Sequence, residues 1–138
     1  MRYIPKTAPN GVTLEQPTLG ITEEINEAID THDMWKIMLR GAINSGTSRS
    51  TPEQTKQDTN CTLGKWLHER IDSEAKQSPH YAEIVDLHAK FHQQAGAILE
   101  LALNGNPDKA HNLMGVSQPF ARYSALLTLK LKEWKGGL

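Results

Sequence analysis

The 138-residue chain has a single cysteine, Cys61, so no internal disulfide can brace it. A lone thiol of this kind is buried, reactive or bound to metal in a reducing compartment. No apolar run approaches the roughly 20 residues that a membrane-spanning helix needs, and the first 20 residues lack the uninterrupted apolar stretch of a signal peptide. The expectation is a soluble, cytoplasmic protein with no membrane partner. An excess of charge is missing too: 15 Lys and Arg stand against 16 Asp and Glu, a net charge of -1. No field of that size draws a chain onto nucleic acid. Strand signals and internal repeats are also lacking. What remains is an ordinary globular composition, 38% hydrophobic with ten glycines, and six histidines whose spacing becomes the first question.

Residues 1–19 carry Pro5, Pro9 and Pro17 and no apolar period. They read as an extended, flexible tail, which leaves a domain over residues 20–138. From Ile21 to about Asn44, apolar residues recur at three and four, with Thr22 placed as N-cap and Glu23 and Glu24 in the first turn. This predicts a long helix with His32 facing inward. The polar stretch from Ser45 to Asp58 reads as a connection. Leu63, Trp66, Leu67 and Ile71 define a short second helix that begins near Cys61, with Asp58 and Asn60 as cap-type residues before it. That position places Cys61 at a helix N-terminus, where the dipole favours the thiolate.

Ser78-Pro79 starts a third helix, whose inward positions include Ile84, His88, Phe91, His92, Ile98 and Leu99. The Asn104-Gly105-Asn106-Pro107 turn ends it and starts a fourth, running towards Trp134, which Pro119 kinks or divides. Four amphipathic segments predict an all-α fold, packed as an antiparallel four-helix bundle.

His88 and His92 lie four apart, so both imidazoles leave one helix face about a turn apart. The pair is either half of a metal site or two hydrogen-bonded core histidines. His32, on the inward stripe of another helix, and Cys61 tilt the reading towards a metal. Three imidazoles and a thiolate suit tetrahedral Zn²⁺ and no alkaline-earth ion.

The pattern His32-x-x-Trp35, Cys61-x-Leu63-Gly64-x-Trp66 and His88-x-x-x-His92, with 25 and 21 residues between the blocks, resembles the signature of the chemoreceptor zinc-binding domain family. It covers His32 to His92, and the first and last helices extend it over roughly Gly20 to Trp134. The resemblance implies a four-helix bundle holding a buried zinc on His32, Cys61, His88 and His92. It also implies a regulatory rather than catalytic role in bacterial signalling, in soluble chemoreceptors or diguanylate cyclases. It further implies homodimers and a response to zinc or to oxidation of the ligand cysteine. No effector domain is recognisable here, so the chain is either a stand-alone sensor that docks to a signalling partner or a domain of a longer protein.

Trp35 and Trp66 read as packing that keeps water from the site. Gly64 permits a close backbone approach or is simply a weak point in a helix. His68, His80 and His111 have polar neighbours and read as solvated, and His68-Glu69 fails as a metalloprotease motif because Asp72 stands where the second histidine belongs. Two alternatives stay open. A metal-free helical interaction module would keep the four residues as core. A hemerythrin-like di-iron bundle would need inward carboxylates, whereas Glu83 and Glu100 fall on the predicted outer face.

Overall fold

The computed structural model describes residues 20–71 and 73–137, and the predicted tail at 1–19 lies outside them. Among the described residues there are helices and no strands, so the all-α class holds. The order is α1 (Ile21–Ser45), α2 (Pro52–Lys56), α3 (Thr62–Lys65), α4 (Pro79–Leu103), α5 (Pro107–Leu113) and α6 (Pro119–Gly136).

The ends of the long helices follow from local chemistry. The Ser78 hydroxyl accepts the His80 N–H at the head of α4, where Pro79 occupies a position that needs no donor. Gly46, at φ 74°, ends α1 in the left-handed region and donates its N–H to the Ala42 carbonyl at 2.7 Å. At the head of α1 the cap is Gly20, not Thr22: helical geometry already begins at Ile21, and no side-chain cap bond forms.

Two expectations change in the middle of the chain. The polar connection contains α2, started by a capping box in which the Thr51 side chain accepts the Gln54 N–H and the Gln54 side chain accepts the Thr51 N–H. The predicted second helix is four residues of α3 followed by a wider π turn over Trp66–Arg70. Asp58 and Asn60 do not cap it; they form a 3-10 turn that delivers the chain to Cys61. The bundle thus has three long helices, α1, α4 and α6, and short pieces in place of a fourth.

Packing directions are read from side-chain pairs. Lys130 of α6 meets Glu83 of α4 at 3.4 Å, and Lys90 of α4 lies over the Tyr123 ring at 5.9 Å, so these helices run antiparallel. Along α1 and α4, His32 pairs with His88 and Trp35 with His92, so these two run the same way. The division at Pro119 separates α5 from α6 as the sequence predicts. Phe91 anchors the core, stacked on Phe120 at 5.0 Å and edge-on to His32 at 5.0 Å, with Ile25, Leu39, Ile98 and Leu127 around them. Burial of these apolar side chains is the main drive holding α1, α4 and α6 together. Glu24 is buried beside them and is met by Arg70 at 3.2 Å, which ties α1 to the end of the π turn.

Candidate metal centre

Three separate stretches of chain deliver four side chains to one point. The inward stripe of α1 carries His32, and consecutive turns of α4 carry His88 and His92. Cys61 arrives as the N-cap residue of α3, its carbonyl accepting the Lys65 N–H at 2.9 Å. His32, Cys61, His88 and His92 are all buried, and one ligand atom from each lies within 4.8 Å of the others. The sequence-predicted set is therefore brought together whole.

The outer ring nitrogens fix which atoms face the centre. The His32 Nδ1–H donates to the Ala28 carbonyl at 2.7 Å, and the His92 Nδ1–H donates to the Thr55 carbonyl at 2.9 Å. A carbonyl only accepts, so in the neutral rings both Nε2 lone pairs point inward. The His92 Nε2 lies 3.0 Å from His88 Nε2, and His32 Nε2 lies 3.8 Å from Cys61 Sγ. Zinc bonds of about 2.0–2.3 Å set tetrahedral edges of about 3.3–3.8 Å, so these separations suit one small cation after slight adjustment. His88 Nδ1 is buried without a hydrogen-bond partner; Asp58 Oδ2 stands 3.7 Å away.

Burial sets the electrostatics. Loss of hydration is the largest cause of depressed basicity at all three rings. It takes His32 down to about 4 and His88 down to about 2, and it lowers His92. The mutual repulsion of the protonated rings adds to the effect at His32 and His88. Cys61 moves against the sequence expectation. Burial raises its thiol pKa, and the Gly64 and Leu63 backbone amides only partly offset this. A helix of four residues has too small a dipole to overcome desolvation. Three neutral imidazoles and a soft sulfur enclosed in an apolar core form a donor set that fits Zn²⁺.

The surroundings exclude water on one side and admit it on the other. Trp35 stands edge-on to His92 at 5.3 Å, and Trp66 is buried against Trp134 at 5.7 Å. A cleft of about 340 Å³, lined by Trp35, Ser50, Gln54, Gln57 and Asn60, reaches Cys61 and His92. Gly64 serves close approach: a Cβ there would run into the Asp58 carbonyl and the Cα of Thr59. Gly64→Ala is expected to push the 58–60 turn outward and cost about 1–3 kcal/mol, as over-packing against rigid backbone does. Urea titration measures it, and a stability within about 0.5 kcal/mol of wild type, the range of neutral surface changes, would show that the turn yields freely.

His68 and His111 are exposed as predicted, although His68 meets Asp58 Oδ2 at 3.3 Å. His80 is only half-exposed, and its Nδ1 is buried without a partner. Glu83 and Glu100 face outward, so neither can bridge iron in the core. Sequence reasoning missed the Ala28 and Thr55 carbonyls, which as backbone groups leave no residue signature, and it took Asp58 for a helix cap.

No curated protein and no solved structure matches the chain. Residues 32–99, which run from the first of the four converging side chains to just beyond the last, match the model of the chemoreceptor zinc-binding domain.

Proposed function

We propose that the chain is a zinc-responsive regulatory module of signal transduction, without catalysis of its own, in which His32, Cys61, His88 and His92 hold the ion. The observation that carries this reading is the meeting of those four buried donors, drawn from α1, the start of α3 and α4, within 4.8 Å. Bound there, zinc would supply a cross-link between segments otherwise joined by packing, a few hydrogen bonds and ion pairs. Four protein donors leave no coordination position for an activated water, which argues for regulation over hydrolysis.

The residues then define the response. His32 and the His88/His92 pair hold α1 against α4, and Cys61 draws in the 51–61 segment, so occupancy governs how these elements pack. The change would pass to a second copy of the chain or to a signalling domain of the chemotaxis or cyclic-di-GMP type. The cleft beside Trp35 gives small oxidants a route to Cys61. A peroxide transferring one oxygen atom to Sγ would leave a sulfenic acid and be reduced to water or an alcohol, removing the thiolate donor. Zinc and oxidant would thus be read at one site.

Metal content by mass spectrometry tests the reading, on protein purified without added metal or nickel resin. The expected result is about one zinc per chain in the wild type, and weakened retention in both Cys61→Ala and His88→Ala. Zinc absent from the wild type, or indifferent to both substitutions, overturns the assignment.

A further inference from the structure

We infer that Asp58 is a positioning residue of the metal centre, whose carboxylate holds His88 with Nδ1 protonated and Nε2 turned to the ion. The inference rests on the zinc reading above.

Three observations support it. First, two of the three imidazoles already donate their outer N–H to a protein carbonyl, Ala28 for His32 and Thr55 for His92, whereas the outer nitrogen of His88 is fully buried and unpartnered. A buried ring nitrogen left in that condition is costly, and once Nε2 is given to a metal the Nδ1 carries the proton, which metal-bound histidines ordinarily hand to a carbonyl, a carboxylate or water. Second, Asp58 Oδ2 faces that nitrogen at 3.7 Å, a few tenths of an ångström beyond a hydrogen bond. The Asp58 backbone is held firmly: its carbonyl accepts the Cys61 N–H at 3.3 Å and packs against Gly64, where no side chain intervenes. Third, the charges balance. A divalent ion with one thiolate and three neutral imidazoles leaves one positive charge in an apolar core, which an adjacent carboxylate would neutralise. Asp58 also contacts exposed His68 at 3.3 Å through the same oxygen, so it lies between the buried ring and the surface.

The test compares zinc affinity, by competition with a chromophoric chelator, in wild type, Asp58→Ala and Asp58→Asn, with the melting temperature of each zinc-free form as the folding control. The ring ¹⁵N spectrum of His88 is recorded in the zinc-loaded proteins. Asp58→Ala is expected to bind one zinc with a Kd raised about 10–100-fold, in the range of lost outer-shell partners. Its His88 Nδ1–H should exchange faster than in the wild type. Asp58→Asn keeps an oxygen acceptor without the charge and should fall between. A purely structural role would lower the zinc-free melting temperature and leave the His88 signal unmoved. Wild type holding zinc, with both variants within twofold of its Kd and the His88 resonance unchanged, overturns the role of Asp58 alone. A wild type that binds no zinc overturns the metal reading, and the role of Asp58 falls with it.

Discussion

Stripping zinc with a chelator is expected to lower the melting temperature by about 10–20 °C. An ion that binds only the folded chain stabilises it by RT ln(1 + [L]/Kd), about 4 kcal/mol when free zinc is a thousandfold above Kd. For a domain of this size each kcal/mol moves the midpoint by a few degrees. The loss should also be local. Helices α2 and α3 have five and four residues, too few to persist on helical hydrogen bonds alone. Only Thr55 of α2 is buried, and its carbonyl is engaged by His92, while α3 starts at Cys61. Amide exchange should therefore rise first across 51–67, while α4 and α6, joined by the Phe91–Phe120 stack, stay protected. Calorimetry with and without chelator checks the shift. A midpoint moved by less than 2 °C would mean that core packing alone holds the fold, as a metal-free helical module requires.

How much of this was legible beforehand depended on where each element draws its stability. Helices α1 and α4 draw it from a buried stripe, and a buried stripe leaves an apolar period, so His32, His88 and His92 could be placed facing inward before any coordinates. Helix α2 has no such stripe. Its sign was the Thr51-Pro52-Glu53-Gln54 run, a capping box with proline at the first helical position, masked by the polarity of the surrounding segment. Cys61 shows a different kind of miss. Its place at a helix start was readable, but the balance between dipole and burial was not, because the length of α3 and the depth of the thiol are tertiary facts. Gly64 had two readings of equal standing, and only the path of the 58–60 turn beneath it selects close approach. The carbonyls of Ala28 and Thr55 lay beyond any reading of residue types, since every residue has one.

Acid is expected to destabilise the zinc-free protein once the pH falls below about 6.5, the ordinary histidine value. His32 and His88 have folded-state pKa values of about 4 and about 2, and that of His92 is also lowered, against 6.5 for each in the unfolded chain. Above pH 6.5 neither state holds these protons, and the rings leave stability unchanged. Below it the unfolded chain takes up a proton per ring that the folded chain refuses, so stability falls by about 1.4 kcal/mol per ring per pH unit. The contribution of His32 levels off near pH 4, and that of His88 continues towards pH 2. His32 and His88 together would remove about 3 kcal/mol by pH 5.5, with His92 acting in the same direction, a large part of the roughly 5–15 kcal/mol that a domain possesses. Cys61 has the opposite sign: burial raises its folded pKa above the ordinary 9.0, so stability present below pH 9 is lost as the pH rises further. The zinc-free protein should therefore be most stable between about pH 6.5 and 9. Urea midpoints from about pH 4.5 to 10 test it, and His32→Phe, which keeps an apolar ring in the core, should reduce the acid slope by one proton. Stability that stays flat down to pH 4.5, or a slope that His32→Phe does not change, would show that the rings already gain their protons within the folded cluster.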